Sequence, residues 1–290
     1  MDSFKLAMAQ MLVVGGEPEK NLARAGEMIA RSAQAGAALA LLPECVDFGW
    51  NHPSGKERAG SIPDGETCRF LCDAARRHRL YVCSGLVERQ GDMLYNSAVL
   101  INPQGEIILH HRKLNEILPG LATYAQGDRL GVAHTPLGTL GLMICGDGFA
   151  EGQVIGRTLG YMGADVIFSP AAFAVPPHWD NAKTPCHEEW RPHLAPVARD
   201  FELWIATVSN VGSFPHPTDG ELPCIGCSLV YDPDGEQALC GPYGRDAEEL
   251  LFIDITPRPR PARGCGWPGL WKERGRHVAE HTARASGFFS

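Results

Sequence analysis

From Leu22 through Ala25, Met28 and Ile29 to Ala33, apolar residues recur every three or four positions, the spacing of one buried helix face. Gly36 falls where a helix C-cap belongs. The chain then runs Leu39-Ala40-Leu41-Leu42 without a polar residue and stops at Pro43, which reads as a short strand buried on both faces. The same signals return later. Val154, Ile155, Thr158, Leu159 and Met162 keep the helical spacing, Gly163 closes it, and Val166-Ile167-Phe168 leads to Pro170.

Two further segments repeat. Leu80-Tyr81-Val82-Cys83 is echoed by Leu203-Trp204-Ile205-Ala206, each after a helix-like stretch. Ser97-Ala98-Val99-Leu100-Ile101-Asn102-Pro103-Gln104-Gly105 is echoed by Cys227-Ser228-Leu229-Val230-Tyr231-Asp232-Pro233-Asp234-Gly235, and Asn-Pro-x-Gly and Asp-Pro-x-Gly are turns that join antiparallel strands. The three matches keep one order at offsets of 127, 123 and 130 residues (Ala35 to Met162, Leu80 to Leu203, Ser97 to Cys227). Two similar halves follow, each ordered helix, strand, helix, strand, hairpin. Such a half covers one sheet face with helices and leaves the other bare, and packing the two bare faces together predicts an α+β fold, a four-layer α-β-β-α sandwich. Past Thr256 the pattern gives way to Pro257-Arg258-Pro259-Arg260-Pro261 and a stretch rich in Arg and Gly. The expected division is one domain over 1–256 and a C-terminal arm over 257–290.

Composition narrows the function. A formal net charge of −8 speaks against general binding of nucleic acid, which needs clustered Lys and Arg. No run reaches the roughly 20 apolar residues of a membrane span, and Met1-Asp2-Ser3-Phe4-Lys5 does not resemble a signal peptide, so a cytoplasmic protein is expected. Ten cysteines at irregular spacing are then reduced thiols rather than a disulfide framework.

One of the ten has a special address. Cys145 ends the apolar strand Thr139 to Ile144 and is followed by Gly146-Asp147-Gly148 and a helical pattern over Phe149 to Met162. A thiol at a helix N-terminus is favoured as thiolate by the backbone N–H groups there. Two charged residues also sit at carboxyl ends of strands, where ligands bind in such sheets: Glu44 after Pro43, and Lys113 after Ile107 to Arg112. Singly, a cysteine packs in the core and a Glu or Lys beside a strand is solvated. Together they are a nucleophile, a base and a cation.

The stretches Leu42-Pro43-Glu44, His111-Arg112-Lys113-Leu114, Ile144-Cys145-Gly146-Asp147 and Arg157 followed by Gly163-Ala164-Asp165, in that order and with the internal repeat, resemble the nitrilase superfamily of carbon-nitrogen hydrolases over residues 4 to 256. The resemblance implies a cysteine-dependent hydrolysis of a non-peptide C–N bond through a thioester, without a cofactor or metal. It implies Glu44 as general base, Lys113 and the backbone N–H of Gly146 as partners of the oxyanion, and a second glutamate after the lysine, for which Glu116 is the nearest candidate. Asp147 has the place of a structural N-cap. Gly146-Asp147 in place of Trp-Glu favours the amidase and carbamoylase branches, hence a small carboxamide or N-carbamoyl substrate. A nitrile substrate, acyl transfer to an amine, and a non-catalytic scaffold of the same fold remain as alternatives. Homodimers or larger homo-oligomers that use the C-terminal arm are expected of the family.

Phe48, Tyr124, Phe173 and Trp190 are the expected lining of an apolar acyl site. His178, His187 and Cys186 invite a metal reading, but their spacing matches no zinc signature. Cys224-Ile225-Gly226-Cys227 is a lone C-x-x-C whose thiols alternation would place on opposite faces of a strand, as packing residues.

Overall fold

Strands form along the apolar runs, and helices where the spacing is three and four. The first half contains β1 (Phe4–Gln10), a short β2 (Leu12–Val13), α1 (Pro18–Gln34), β3 (Leu39–Leu41), the single turn α2 (Gly55–Arg58), α3 (Glu66–His78), β4 (Tyr81–Gln90), β5 (Met93–Ile101) and β6 (Ile107–Arg112). The second contains β7 (Val132–Thr135), β8 (Gly138–Leu142), α4 (Val154–Tyr161), β9 (Val166–Ala171), α5 (Cys186–Phe201) and β10 (Trp204–Ser209). It continues with β11 (Val211–His216), β12 (Gly220–Ile225), β13 (Leu229–Tyr231), β14 (Gln237–Cys240) and β15 (Glu249–Ile255). This computed structural model describes residues 2–216 and 220–259. The unit that runs from Met1 to Arg258 holds every element named above, and the expected arm lies, from residue 260 on, outside the described residues.

The repeat is visible in the topology. One sheet has the order β15-β1-β3-β4-β5-β6 and the other β14-β13-β10-β9-β8-β7. In the first, β1, β3 and β4 are parallel, and β5 and β6 follow as antiparallel neighbours. In the second, β8, β9 and β10 are parallel, and β13 and β14 are antiparallel in the same way. The three sequence echoes fall on β3 and β9, β4 and β10, and the two terminal hairpins. A small third sheet, β12-β11-β2, joins the halves.

Strand alternation sorts side chains into layers. Leu6, Met8, Leu39, Leu41, Cys83 and Leu100 share one core with Leu140, Leu142, Val166 and Phe168 of the opposite sheet. Their sequence neighbours Ala7, Ala9, Ala40, Leu42, Val82 and Val99 pack instead with Ala25, Met28 and Ile29 of α1 and Leu71 and Ala75 of α3. Ile155 and Leu159 of α4 and Val197, Ala198 and Phe201 of α5 cover the second sheet. The layers are therefore helix, sheet, sheet, helix.

One boundary differs from expectation. The helix predicted over Phe149 to Met162 begins only at Val154, because Gly152 (φ +66°) and Gln153 (φ +51°) are left-handed and interrupt it. Cys145 to Phe149 form a 3₁₀ turn.

Candidate active site

Glu44, Lys113 and Cys145 are buried and line one cavity of about 130 Å³. Each is held by the strand end before it. Gly85 of β4 lies against the backbone of Glu44 so closely that a Cβ there would stand 2.6 Å from the Glu44 Cα. The Gly85 N–H donates to the Pro43 carbonyl (3.0 Å) and the Val46 N–H to the Gly85 carbonyl (3.1 Å). From the other half, the Ala171 carbonyl accepts the Glu44 N–H (3.3 Å). Glu44 is thus fixed where the two sheets meet.

β6 distributes its last residues by alternation. His111 donates from Nε2 to Asp147 Oδ2 (2.7 Å), while Arg112, on the other face, donates to Glu88 (2.9 Å from Nε). Lys113 follows His111 by two and reaches inward. Its Nζ is 2.9 Å from Glu44 Oε1 and 2.9 Å from Glu116 Oε1. Asn96 of β5 donates to both carboxylates, at 2.6 Å to Glu44 and 2.9 Å to Glu116. Two carboxylates, one ammonium and one amide form a closed buried network.

Cys145 has φ +39°, a left-handed conformation that costs a non-glycine residue of order 1–3 kcal/mol and clusters at functional sites. Its N–H donates to Ser169 Oγ of β9 (3.2 Å). Asp147 ties this turn to the segment after β6, accepting the N–H groups of Leu114 (2.9 Å) and Asn115 (2.8 Å) at Oδ1 and of Ile144 (2.9 Å) at Oδ2. Gly146 fills the remaining gap. A Cβ there would stand 2.7 Å from the Asn115 carbonyl and 3.2 Å from Lys113 Cε, so the lysine and the turn are in near contact. Among the described residues, no hydrogen bond engages the Gly146 N–H.

The electrostatics correct one expectation. A five-residue 3₁₀ turn does not hold Cys145 as thiolate; burial, and then the charge of Glu44, push the thiol up, with Lys113 and the Ala172 N–H opposing. Burial and the neighbouring Glu116 raise Glu44 above the usual 4.5, against the pull of Lys113. Burial would depress Lys113, but Glu44, Cys145 and Glu116 outweigh it and hold the ammonium well above its usual value. The resting arrangement is a neutral thiol beside an ion-paired carboxylate of increased basicity.

The cavity walls are mostly not the predicted ones. Trp190 lines it, with Trp50, Phe149, Phe214, Ile117 and Leu222. Phe173 does not; it lies under Trp190, stacked at 4.0 Å and 15°. Tyr124 also stands behind the wall, where its hydroxyl accepts the Asn51 N–H (2.9 Å), and Phe48 lines a different crevice with Leu22 and Arg58. Glu116 reaches Lys113 but not the cavity. Trp50, Phe214 and Asn96 had no signal in the chain, because the loop after Glu44 and the β11–β12 hairpin meet only in three dimensions.

The cysteine readings also divide. Cys224 is a buried core residue beside Trp50 and Tyr124, as expected. Cys227 is not on a strand face: its φ is +57° and its thiol lies 3.9 Å from that of Cys240. His178 is not part of that group, whereas His187 is.

The chain matches the carbon-nitrogen hydrolase family over residues 5–262. It is 35% identical over 257 residues to a nitrilase of Pyrococcus abyssi, covering 87% of this chain and 90% of the relative. It is 30% identical over 271 residues to the omega-amidase NIT2 of Mus musculus, covering 88% and 89%. Its fold matches a carbon-nitrogen hydrolase from Helicobacter pylori G27 with a TM-score of 0.77 at 20% identity over 96% of this chain and 97% of that one. An amidase from Nesterenkonia sp. superposes with a TM-score of 0.72 at 22% identity over 88% and 90%. With its sandwich of repeated halves and a buried cysteine, glutamate and lysine around one cavity, the chain belongs to the carbon-nitrogen hydrolase family and is a carbon-nitrogen hydrolase.

Proposed function

We propose that Cys145 is the nucleophile and that the substrate is a small carboxamide or N-carbamoyl compound. The observation that carries this reading is the strained Cys145 turn opening on the same small cavity as Glu44 and Lys113. Because the thiol is protonated at rest, Glu44 takes its proton as Sγ attacks the amide carbon. The carbonyl oxygen gains the negative charge, which the Lys113 ammonium and the Gly146 N–H meet. Collapse of the tetrahedral species breaks the C–N bond, Glu44 returns the proton to the departing amine, and a thioester remains on Cys145. Water, deprotonated by Glu44, attacks the thioester; the acid leaves and the thiol regains its proton.

Glu116 and Asn96 position rather than react. They hold Lys113 and Glu44 in a fixed relation, so the ammonium enters the reaction already aimed. A cavity of about 130 Å³ walled by Trp50, Phe149, Trp190 and Phe214 suits a short, mostly apolar acyl group. A carboxylate on that group would need a cation, and Lys113, the lysine of the described lining, is already engaged by two glutamates.

The test is ammonia release from a panel of small amides, N-carbamoyl compounds and nitriles, with Cys145→Ala as control, and mass spectrometry of acyl adducts. Release from amides together with an adduct confined to Cys145 is expected. No release above the control and no adduct would sink the assignment, and release from nitriles alone would transfer it to nitrile hydrolysis.

A further inference from the structure

Three stretches far apart in the chain bring sulfur and nitrogen ligands to one place outside the cavity. His187 is in the first turn of α5, Cys227 follows β12, and Cys240 ends β14. Their ligand atoms all lie within 4.8 Å of one another. The sulfurs of Cys227 and Cys240 are 3.9 Å apart. Two thiolates on one tetrahedral zinc, each at about 2.3 Å, stand about 3.8 Å apart, whereas a disulfide closes to about 2.05 Å. The pair has the separation of co-ligands.

A further thiol stands beside Cys227, outside the set of three whose ligand atoms all approach one another. The buried Cys186 thiol shares a hydrogen bond with Cys227 and receives the Trp190 N–H at 3.3 Å. The surroundings fit a charged centre. Tyr231 of β13 is fully buried, and its hydroxyl has no hydrogen-bond partner among the described residues. The Glu188 carboxylate lies 3.3 Å from His187 Nε2, where it orients the imidazole. Cys227 itself is left-handed, a cost that ligation would offset.

We propose that His187, Cys227 and Cys240 form a structural zinc site, which the Cys186 thiol completes as fourth ligand by moving in from its hydrogen bond with Cys227. Three thiolates and an imidazole are soft and borderline donors that select zinc over magnesium or calcium. The site would tie the start of α5 to the loop after β12 and to the end of β14. It also bears on the cavity: Trp190, one turn along α5 and bonded to Cys186, packs on Phe173 and, at 4.3 Å, on Phe149. Zinc at this place holds a wall of the acyl site without touching the reacting atoms.

The full-length chain, purified reduced from zinc-supplemented culture and desalted, is expected to carry stoichiometric zinc by elemental analysis. Cys240→Ser and Cys227→Ser should each lose it, and Cys72→Ser, remote from the cluster, should keep it. Cobalt titrated into metal-stripped protein should give thiolate-to-metal charge-transfer bands and tetrahedral d–d bands, both absent in Cys240→Ser. Cys240 is exposed, so its serine variant remains informative even if the buried Cys227 variant does not fold. Zinc content unaffected by Cys240→Ser, cobalt spectra without thiolate bands, or a Cys227–Cys240 disulfide in protein made with reductant and zinc would overturn the proposal. None of these measurements reads hydrolysis, so the outcome is independent of the reaction assigned above.

Discussion

The proposed reaction asks Glu44 to be both an ion-pair partner and a base, and its surroundings reconcile the two. Burial makes its negative charge costly, and Glu116 adds repulsion; Lys113 and the Asn96 amide keep it ionised but do not return it to the usual 4.5. A base must be deprotonated to accept the thiol proton, so activity is lost as pH falls through the raised Glu44 value. The acid limb of kcat/KM is therefore expected above the ordinary carboxylate range. Glu116→Gln removes the repulsion and should move that limb downward while lowering kcat, since Lys113 loses a partner. A limb that keeps its position in Glu116→Gln would show that the two carboxylates are not coupled as the geometry requires. Gly146 makes the opposite kind of contribution at the same scale, through what it lacks: any Cβ would push on the Asn115 carbonyl and on Lys113.

Between single residues and the whole fold lies the joint between two segments, the turn after β8 and the segment after β6. Asp147 makes it, accepting three backbone N–H groups and pairing with His111. Burial alone would raise Asp147, but His111 and the backbone donors hold it below the usual 3.8. Its stabilising effect is thus fully present above that usual value and fades as pH falls through the lowered one. Asp147→Ala leaves those donors buried without an acceptor, at about 1–3 kcal/mol each. A loss of about 3 kcal/mol or more is expected in urea unfolding at neutral pH, with kcat falling further than KM rises because Cys145 and Lys113 lose their register; an unchanged midpoint would refute the joint. This level also marks how far the chain could be read. Glu44, Lys113 and Cys145 were legible because each ends a strand of a repeated unit, and strand ends follow from local periodicity. Trp50, Phe214 and the Cys227–Cys240 approach were not, since they join loops and hairpins whose meeting depends on how the two sheets pack. Phe48, Tyr124 and Phe173 lie outside the cavity lining for a related reason: an aromatic residue near a strand end is equally at home one layer behind a cavity wall.

At the scale of the molecule, the sandwich stands on its two inner sheet faces, and their edges decide where the chain can be cut. β15 pairs with β1 residue for residue from Phe4 with Ile255 to Gln10 with Glu249. It buries Leu250 and Ile255, and the carbonyl of Thr256 just beyond accepts the Trp204 indole N–H (2.9 Å). Arg258 pairs with Asp234 in the turn of the β13–β14 hairpin (2.8 Å). A chain ending at Arg258 keeps all of these and should still unfold cooperatively. A chain ending at Glu248 bares the β1 ladder and its apolar neighbours, an edge prone to pairing with other chains, and should aggregate or lose cooperative unfolding. The same pair of truncations addresses assembly. If the C-terminal arm over 257–290 joins subunits, as the family resemblance implies, the chain ending at Arg258 will elute from gel filtration as a smaller species. An elution volume that changes only as far as the lost mass requires would place the subunit contacts, where there are any, on the sandwich itself.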